Sequence, residues 1–184
     1  MTSSDRVQYH TTRETVSEAG ERHFDAIKES RGEILGPFAV LLNSPELAGR
    51  TAELGAYVRF GSSLPDADRE IAILTTARTF DCAYEWAMHQ PIAVEAGVSE
   101  ATLEAISEEQ QTDHLNDTEA IAIEYGRELF EEHTISEDTF EAALDQYGES
   151  GVVELTATMG YYSMIACVLN AFNVYPEPDQ PQLF

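Results

Sequence analysis

The sequence is short of positive charge. Ten Lys and Arg residues stand against 34 Asp and Glu, Lys28 is the one lysine, and the formal net charge is -24. Nucleic acid is excluded as a partner, because phosphate binding needs a basic footprint that this surface lacks. Binding to an anionic membrane surface is disfavoured for the same reason. Cysteine is scarce as well: Cys82 and Cys167 cannot build a disulfide framework, so free thiols and a cytoplasmic location are expected. No apolar run follows a basic start at the N-terminus, so no secretory signal is expected. Two-residue hydrophobic alternation is missing throughout, and with it any candidate strand, so the expected fold is all-α.

What is present is acid, helix and apolar surface. At 43% hydrophobic, 184 residues can bury the core of one domain or of two small packed halves. Acid excess with almost no lysine is expected of a halophilic interior, where screening tolerates self-repulsion. The charge is uneven: residues 1–60 carry nine acids and seven bases, and residues 61–184 carry 25 acids and three bases. Either the composition drifts, or the first third lies against acidic surface where Arg22, Arg31 and Arg50 find partners. From Leu155 to Pro176 no residue is charged. Five polar residues, Thr156, Thr158, Ser163, Asn170 and Asn173, interrupt that stretch and no flanking base orients it, so it reads as a buried helix rather than a membrane span. The surplus of apolar helix surface predicts a homo-oligomer: a dimer, trimer or hexamer.

The periodicity predicts a polar, mobile segment over 1–12 and a helix over 13–29 whose sparse apolar positions suggest an arm. A short helix follows Pro37, another runs over 46–60 to Gly61, and Pro65 opens a strong one that stops near Phe80. Asp81 suits an N-cap for a helix from Cys82 to Ala96, with a kink near Pro91 and Gly97 at its end. Ser99 caps a short helix, and 107–117 is the best linker. Asn116 with Glu119 has the form of a capping box, Ser136 caps a helix to Tyr147, and Gly151 precedes the long uncharged one. A weak internal echo pairs Arg69, Glu70, Ile71 with Val153, Glu154, Leu155.

The reactive side chains concentrate in Glu70, Arg78, Cys82, Tyr84, Glu85, Trp86 and His89. Cys82, Glu85 and His89 lie along one helix face, at spacings of three and four. A helix N-terminus favours the Cys82 thiolate while Asp81 and Glu85 favour the thiol, so the direction of its shift is open at this stage. A carboxylate beside an imidazole suits general acid or base work. Each residue also has a plainer role: Tyr84 and Trp86 as core aromatics, Cys82 as a small buried hydrophobe, His89 as a satisfied polar group. Two ligands, or three with Cys82, leave no metal site.

The string Arg69-Glu70-Ile71, Cys82 twelve residues beyond the glutamate, then Tyr84-Glu85-Trp86, His89, Ala93 and Glu95-Ala96-Gly97 resembles the carboxymuconolactone decarboxylase and alkylhydroperoxidase D-like superfamily. Gly160-Tyr161-Tyr162-Ser163-Met164 is similar to its C-terminal helix. The resemblance covers about residues 34–176, leaving 1–33 as an N-terminal arm and helix and 177–184 as a tail, and it implies an alkylhydroperoxidase D-like helical bundle. It implies that Glu70, Cys82 and His89 stand at the positions of a proton-relay glutamate, a first redox cysteine and an assisting histidine. Glu85 stands where that branch has its second cysteine, so its intramolecular disulfide cycle cannot run through that position, and Cys167 could substitute only if the fold brought it within about 7 Å of Cys82. The Tyr, Glu, Trp, His signature resembles the carboxymuconolactone decarboxylase-like subgroup.

The leading expectation is therefore cofactor-free acid-base chemistry on a small, carboxylate-bearing organic substrate, a decarboxylase-like lyase. Glu70, Glu85 and His89 would move protons, Arg59 or Arg78 would hold the carboxylate, and Tyr84 and Trp86 would line the substrate site. The alternatives are a one-cysteine peroxidase, or antioxidant, using Cys82, and a non-enzymatic ligand-binding or structural oligomer.

Overall fold

The computed structural model describes residues 6–183, and among these every regular element is helical. A 3-10 turn at Arg13–Thr15 precedes α1 (Glu18–Arg31), α2 (Pro37–Leu41), α3 (Pro45–Phe60), α4 (Asp66–Thr79), α5 (Ala83–Glu95), α6 (Glu100–Ser107), α7 (Asp117–Glu131) and α8 (Glu137–Ala171). The capping signals work as the sequence implies. Ser99, Asn116 and Ser136 each accept a hydrogen bond from the backbone N–H three residues on, satisfying a donor that the first turn leaves free. The Asn116 amide also donates to the Glu119 carboxylate at 2.6 Å. The two helices expected after Ser136 are continuous except at Gly148, whose φ of 68° breaks the helical path.

α4 is the axis of the molecule. Ile71, Ala72, Ile73 and Leu74 are all fully buried, so the helix is covered on every side, which an apolar run without a polar stripe demands. It packs on α5, α7 and α8. Burying each such Ile or Leu contributes about 1.5–3 kcal/mol. One core joins α4, α5, α6 and α7 through Leu74, Trp86, Leu103 and Ile123. A second joins α4, α7 and α8 through Tyr125, Leu155 and Met159. The third lies over α8 and holds Phe24, Ile27, Phe38, Val58 and Leu169. α8 is long and apolar enough to cross a membrane, at a mean hydropathy of 1.4, but half of that window is buried inside the protein. Its apolar character serves the core.

Three local expectations are corrected. α1 is no free arm: Phe24 and Ile27 are 2% and 1% exposed in the core shared with α2, α3 and α8. Nor do residues 6–12 hang free; residues 1–5 lie outside the described residues. Arg6 donates to the Ala171 carbonyl at 2.6 Å, Asn43 to the Gln8 carbonyl at 2.7 Å, the His10 N–H to Ala39 O at 2.9 Å, and the Gly36 N–H to the Tyr9 hydroxyl at 2.7 Å. Each bond satisfies a backbone group that an isolated strap would leave to water. Finally, Asp81 does not cap α5; Cys82 holds that position. Asp81 is spent on ending α4, adopting φ 48° while its N–H bonds Arg78 O and the Cys82 N–H bonds Ala77 O, the paired closure of a Schellman motif.

Where α7 crosses α4 and α8, Gly126 sets the spacing. A Cβ there would lie 2.9 Å from the Thr75 methyl and 3.0 Å from the Met159 terminal carbon. Gly126→Ala is therefore expected to destabilise the fold by about 1–3 kcal/mol despite its better helix propensity. Urea denaturation checks this, and an unchanged or higher midpoint would show that the crossing is loose.

Candidate active site

The turn at Asp81 folds α5 back along α4, and this brings Glu70 against a residue 19 positions later. Glu70 Oε2 and His89 Nδ1 are 2.6 Å apart, and His89 Nε2 is 3.4 Å from Glu85 Oε2. The i, i+4 spacing on α5 sets the second contact; the helix pairing sets the first. All three groups are buried, with Glu70 1%, Glu85 5% and His89 4% exposed. Carboxylates this deep need compensation. Arg69 supplies part of it, its Nε lying 3.7 Å from Glu70 Oε1 while its Nη1 holds Asp66 at 2.9 Å. Since a carboxylate only accepts, Nδ1 carries the proton toward Glu70; Nε2 faces Glu85 and donates to it when the ring is protonated. Burial is the largest influence on the imidazole and acts to lower its pKa. The hydrogen bonds and charges of Glu70 and Glu85 together outweigh it, so His89 is raised above its ordinary value.

Glu85 and His89 open onto a cavity of about 330 Å³. α5 also contributes Tyr84 and Met88, and α8 contributes Tyr161, Tyr162 and Ile165. The far wall comes from the N-terminal third, with Arg31, Glu33, Phe38 and Arg59. His89 packs edge-on to Tyr162 with ring centroids 5.1 Å apart, and Tyr162 to Tyr161 at 5.2 Å. Burial pushes the Tyr84 and Tyr162 phenols well above their ordinary range and Tyr161 to about 12. These hydroxyls stay protonated and act as donors. Tyr84 is seated by Gly36: a side chain there would come within 2.6 Å of its ring, and the backbone φ of 55° suits glycine.

Of the residues nominated from the sequence, Glu70, Glu85 and His89 meet, and Tyr84 and Arg59 line the cavity. Three others do not join them. Cys82 is fully buried and does not line the cavity. Burial first, then the Glu85 charge, pushes its thiol to about 12, which closes the question that sequence left open in favour of the neutral thiol. Arg78 spends its guanidinium on Ser107 O at 2.8 Å, Asp81 at 2.6 Å and Glu109 at 2.7 Å, tying the end of α4 to the loop after α6. Trp86 is 4% exposed in the core between α4, α5, α6 and α7. Sequence reasoning missed Arg31 as a cavity residue, and Tyr161 and Tyr162 as more than helix; adjacent tyrosines in an uncharged run were the available signal. Among the described residues no group of three or more His, Cys, Asp or Glu is arranged to hold a metal ion.

The profile of the carboxymuconolactone decarboxylase family matches residues 45–128, the span that holds Arg59, Glu70, Tyr84, Glu85 and His89. That span is similar to the carboxymuconolactone decarboxylase family, in line with the resemblance read from the sequence. Solved structures share the whole architecture. An uncharacterized peroxidase-related protein from Silicibacter sp. TM1040 superposes with a TM-score of 0.74 at 14% identity over 100% of both chains. A peroxidase-related protein with an alkylhydroperoxidase AhpD core from Ralstonia eutropha JMP134 gives 0.73 at 14% identity, covering 94% of this chain and 93% of that one. The debrominase Bmp8, as a Cys-to-Ala variant in complex with 2,3,4-tribromopyrrole, gives 0.73 at 15% identity, covering 96% and 95%. At these identities the likeness is one of fold. No curated protein sequence matches the chain significantly.

Two measurements follow from this geometry. Cys167 is exposed and Cys82 is not, so the native protein at neutral pH should lose one thiol quickly to a disulfide reagent. Cys167→Ser should remove that phase, and a fast phase persisting in it would contradict the buried Cys82. The second concerns stability. His89 has a raised folded pKa, so its protonation stabilises the fold fully below the ordinary value of about 6.5, and that contribution is lost as pH rises through the folded value. The stability advantage of the wild type over His89→Gln should shrink as pH rises above about 6.5 in chemical denaturation. An advantage that grows over that window would mean the imidazole is depressed instead.

Proposed function

We propose that the protein is a cofactor-free acid-base enzyme acting on a small organic substrate in the cavity bordered by His89 and Glu85. The observation that carries this reading is the buried Glu70–His89–Glu85 line, anchored at 2.6 Å on one side and facing open space on the other. With Nδ1 held by Glu70, the ring is fixed in one tautomer and orientation, and the Glu70 carboxylate stabilises the imidazolium that forms when Nε2 takes a proton. Glu85 is placed to receive a substrate proton or pass one to Nε2. In the forward direction a C–H bond beside a carbonyl gives its proton to Glu85 or His89, and the electron pair moves onto the carbonyl oxygen. A protonated Tyr84 hydroxyl faces that developing charge as a donor. In the reverse direction the imidazolium returns a proton to carbon, the step that would quench the carbanion left when carbon dioxide departs. A lyase of the decarboxylase kind and an isomerase differ here only in which bond breaks between the two proton transfers.

Peroxide reduction by one cysteine has weaker support. It needs an accessible thiolate, and Cys82 is a buried neutral thiol.

The test is exchange in heavy water. A panel of small lactones, enolisable acids and their unsaturated relatives is followed by NMR for deuterium wash-in or carbon dioxide release. For any compound the wild type turns over, His89→Gln and Glu70→Gln should lower the rate by about 10² to 10⁴. The wild-type rate should fall where protonated His89 is lost, if return of the proton limits turnover. Rates untouched by both substitutions would end the acid-base reading.

A further inference from the structure

The cavity that His89 lines also carries two guanidiniums with no carboxylate in contact among the described residues. In a chain with 34 acids and ten bases, carboxylate partners are abundant, and Arg13, Arg22, Arg50, Arg69 and Arg78 all have one within 4 Å. Of the remaining arginines, Arg127 donates to the Gln110 and Ala105 carbonyls, whereas Arg31 and Arg59, with no carboxylate within 4 Å among the described residues, both line the same cavity. Arg31 stacks on Phe38, its guanidinium carbon 4.3 Å from the ring centroid, and donates from Nη2 to the Ala52 carbonyl at 3.3 Å. Its Nε is buried without a hydrogen-bond partner. Arg59 rests over the Phe60 ring at 5.2 Å. Burial is the largest influence on Arg31 and works against its charged form; Tyr161, Tyr162 and Glu85 favour that form, the Arg59 charge opposes it, and the balance is a lowered pKa, while the Tyr161 phenol feels both guanidiniums. Like charges held together in a half-buried wall are costly unless an anion joins them.

We propose that this cavity is a site for amphipathic organic monoanions, with one carboxylate held by Arg31 and Arg59 and an apolar body lying toward His89. The proposal rests on the cavity being the reaction site and adds the class of molecule it takes. Guanidiniums suit a planar carboxylate because they offer paired donors. The body would lie along Phe38, Met88 and Ile165, with the Tyr161 and Tyr162 rings between the anchor and the imidazole. The other charged groups facing the space are Glu33, exposed at the rim, and Glu85, beside His89; Glu70 lies behind the ring. A second carboxylate at the far end of a ligand would meet Glu85 or apolar wall, so a dicarboxylate fits worse than a monoanion.

Benzoate, its neutral isostere benzamide, and adipate serve as probes, with binding measured by titration calorimetry and ligand-observed NMR. Benzoate should bind saturably, and more tightly than benzamide or adipate. Arg31→Gln and Arg59→Gln should each weaken benzoate by roughly tenfold to a hundredfold and leave benzamide nearly unchanged. Arg31→Lys should recover part of the loss, which separates charge from packing on Phe38. Where Arg31→Gln fails to fold, Arg59→Gln carries the test, because Arg59 leans on a Phe60 that is 70% exposed. Equal binding of benzoate and benzamide, indifference to both arginine substitutions, tighter adipate than benzoate, or no saturable benzoate binding would each overturn the proposal. The acid-base reading fails separately: loss of benzoate binding in the arginine variants, with turnover untouched in His89→Gln, would leave the anchor standing and remove the proton chemistry.

Discussion

A 2.6 Å hydrogen bond between two buried ionisable groups, Glu70 on α4 and His89 on α5, constrains the rest of the structure. Neither group is tolerable alone at that depth, since an uncompensated buried carboxylate costs several kcal/mol. The pair therefore dictates a register between the two helices, and the Asp81 closure of α4 is the local means of reaching it. α4 then has no face left for solvent. Its remaining sides must be covered by α7 and α8, and α8 must be apolar to do so. The chemistry of the site and the hydrophobicity of the long C-terminal helix thus follow from one demand.

The cavity also shows how a strongly acidic protein can hold a local region of opposite character. Five arginines are paired with neighbouring carboxylates, most of them at the surface, where such pairs contribute little to stability. Arg31 and Arg59, without such a pair among the described residues, line the cavity instead. At physiological ionic strength the surface field fades over roughly 8 Å, whereas charges in a concave wall of low polarity are screened far less. Net charge describes how the molecule meets other macromolecules; the cavity responds to its own lining.

Much of this was legible in the sequence where the relevant contacts are short in range. Caps at Ser99, Asn116 and Ser136, and the facing of Glu85 and His89 at four residues' spacing, are decided within a turn or two. The superfamily resemblance carried Glu70, since twelve residues to Cys82 and seven more to His89 are a recognisable interval. What sequence could not place was set by long-range packing. Arg78 was nominated for a carboxylate because it sits near the reactive group, but it is spent on Asp81 nearby and on the Ser107 carbonyl and Glu109, 29 and 31 residues away. Arg31 was read as one of the bases that would find a partner if the first third lay against acidic surface; it lines the cavity instead, on an α1 packed against α3. Asp81 was read as starting a helix, because a short acidic residue between two helices serves either role and the backbone φ decides.

The family profile ends at residue 128 and begins at 45, yet Arg31 lies before it and the tyrosine pair after it. α1 is held by Phe24 and Ile27 in the core and, with the strap over 6–12, forms a peripheral unit whose contacts are fewer than those of α4. Such units open locally with a smaller free energy than the whole molecule, on the hierarchy that amide hydrogen exchange reveals. When this one opens, the Glu70–His89–Glu85 line survives intact while the cavity loses a wall. A cavity walled on one side by such a unit would owe its ligand-holding form to the docking of α1 as well as to the global fold.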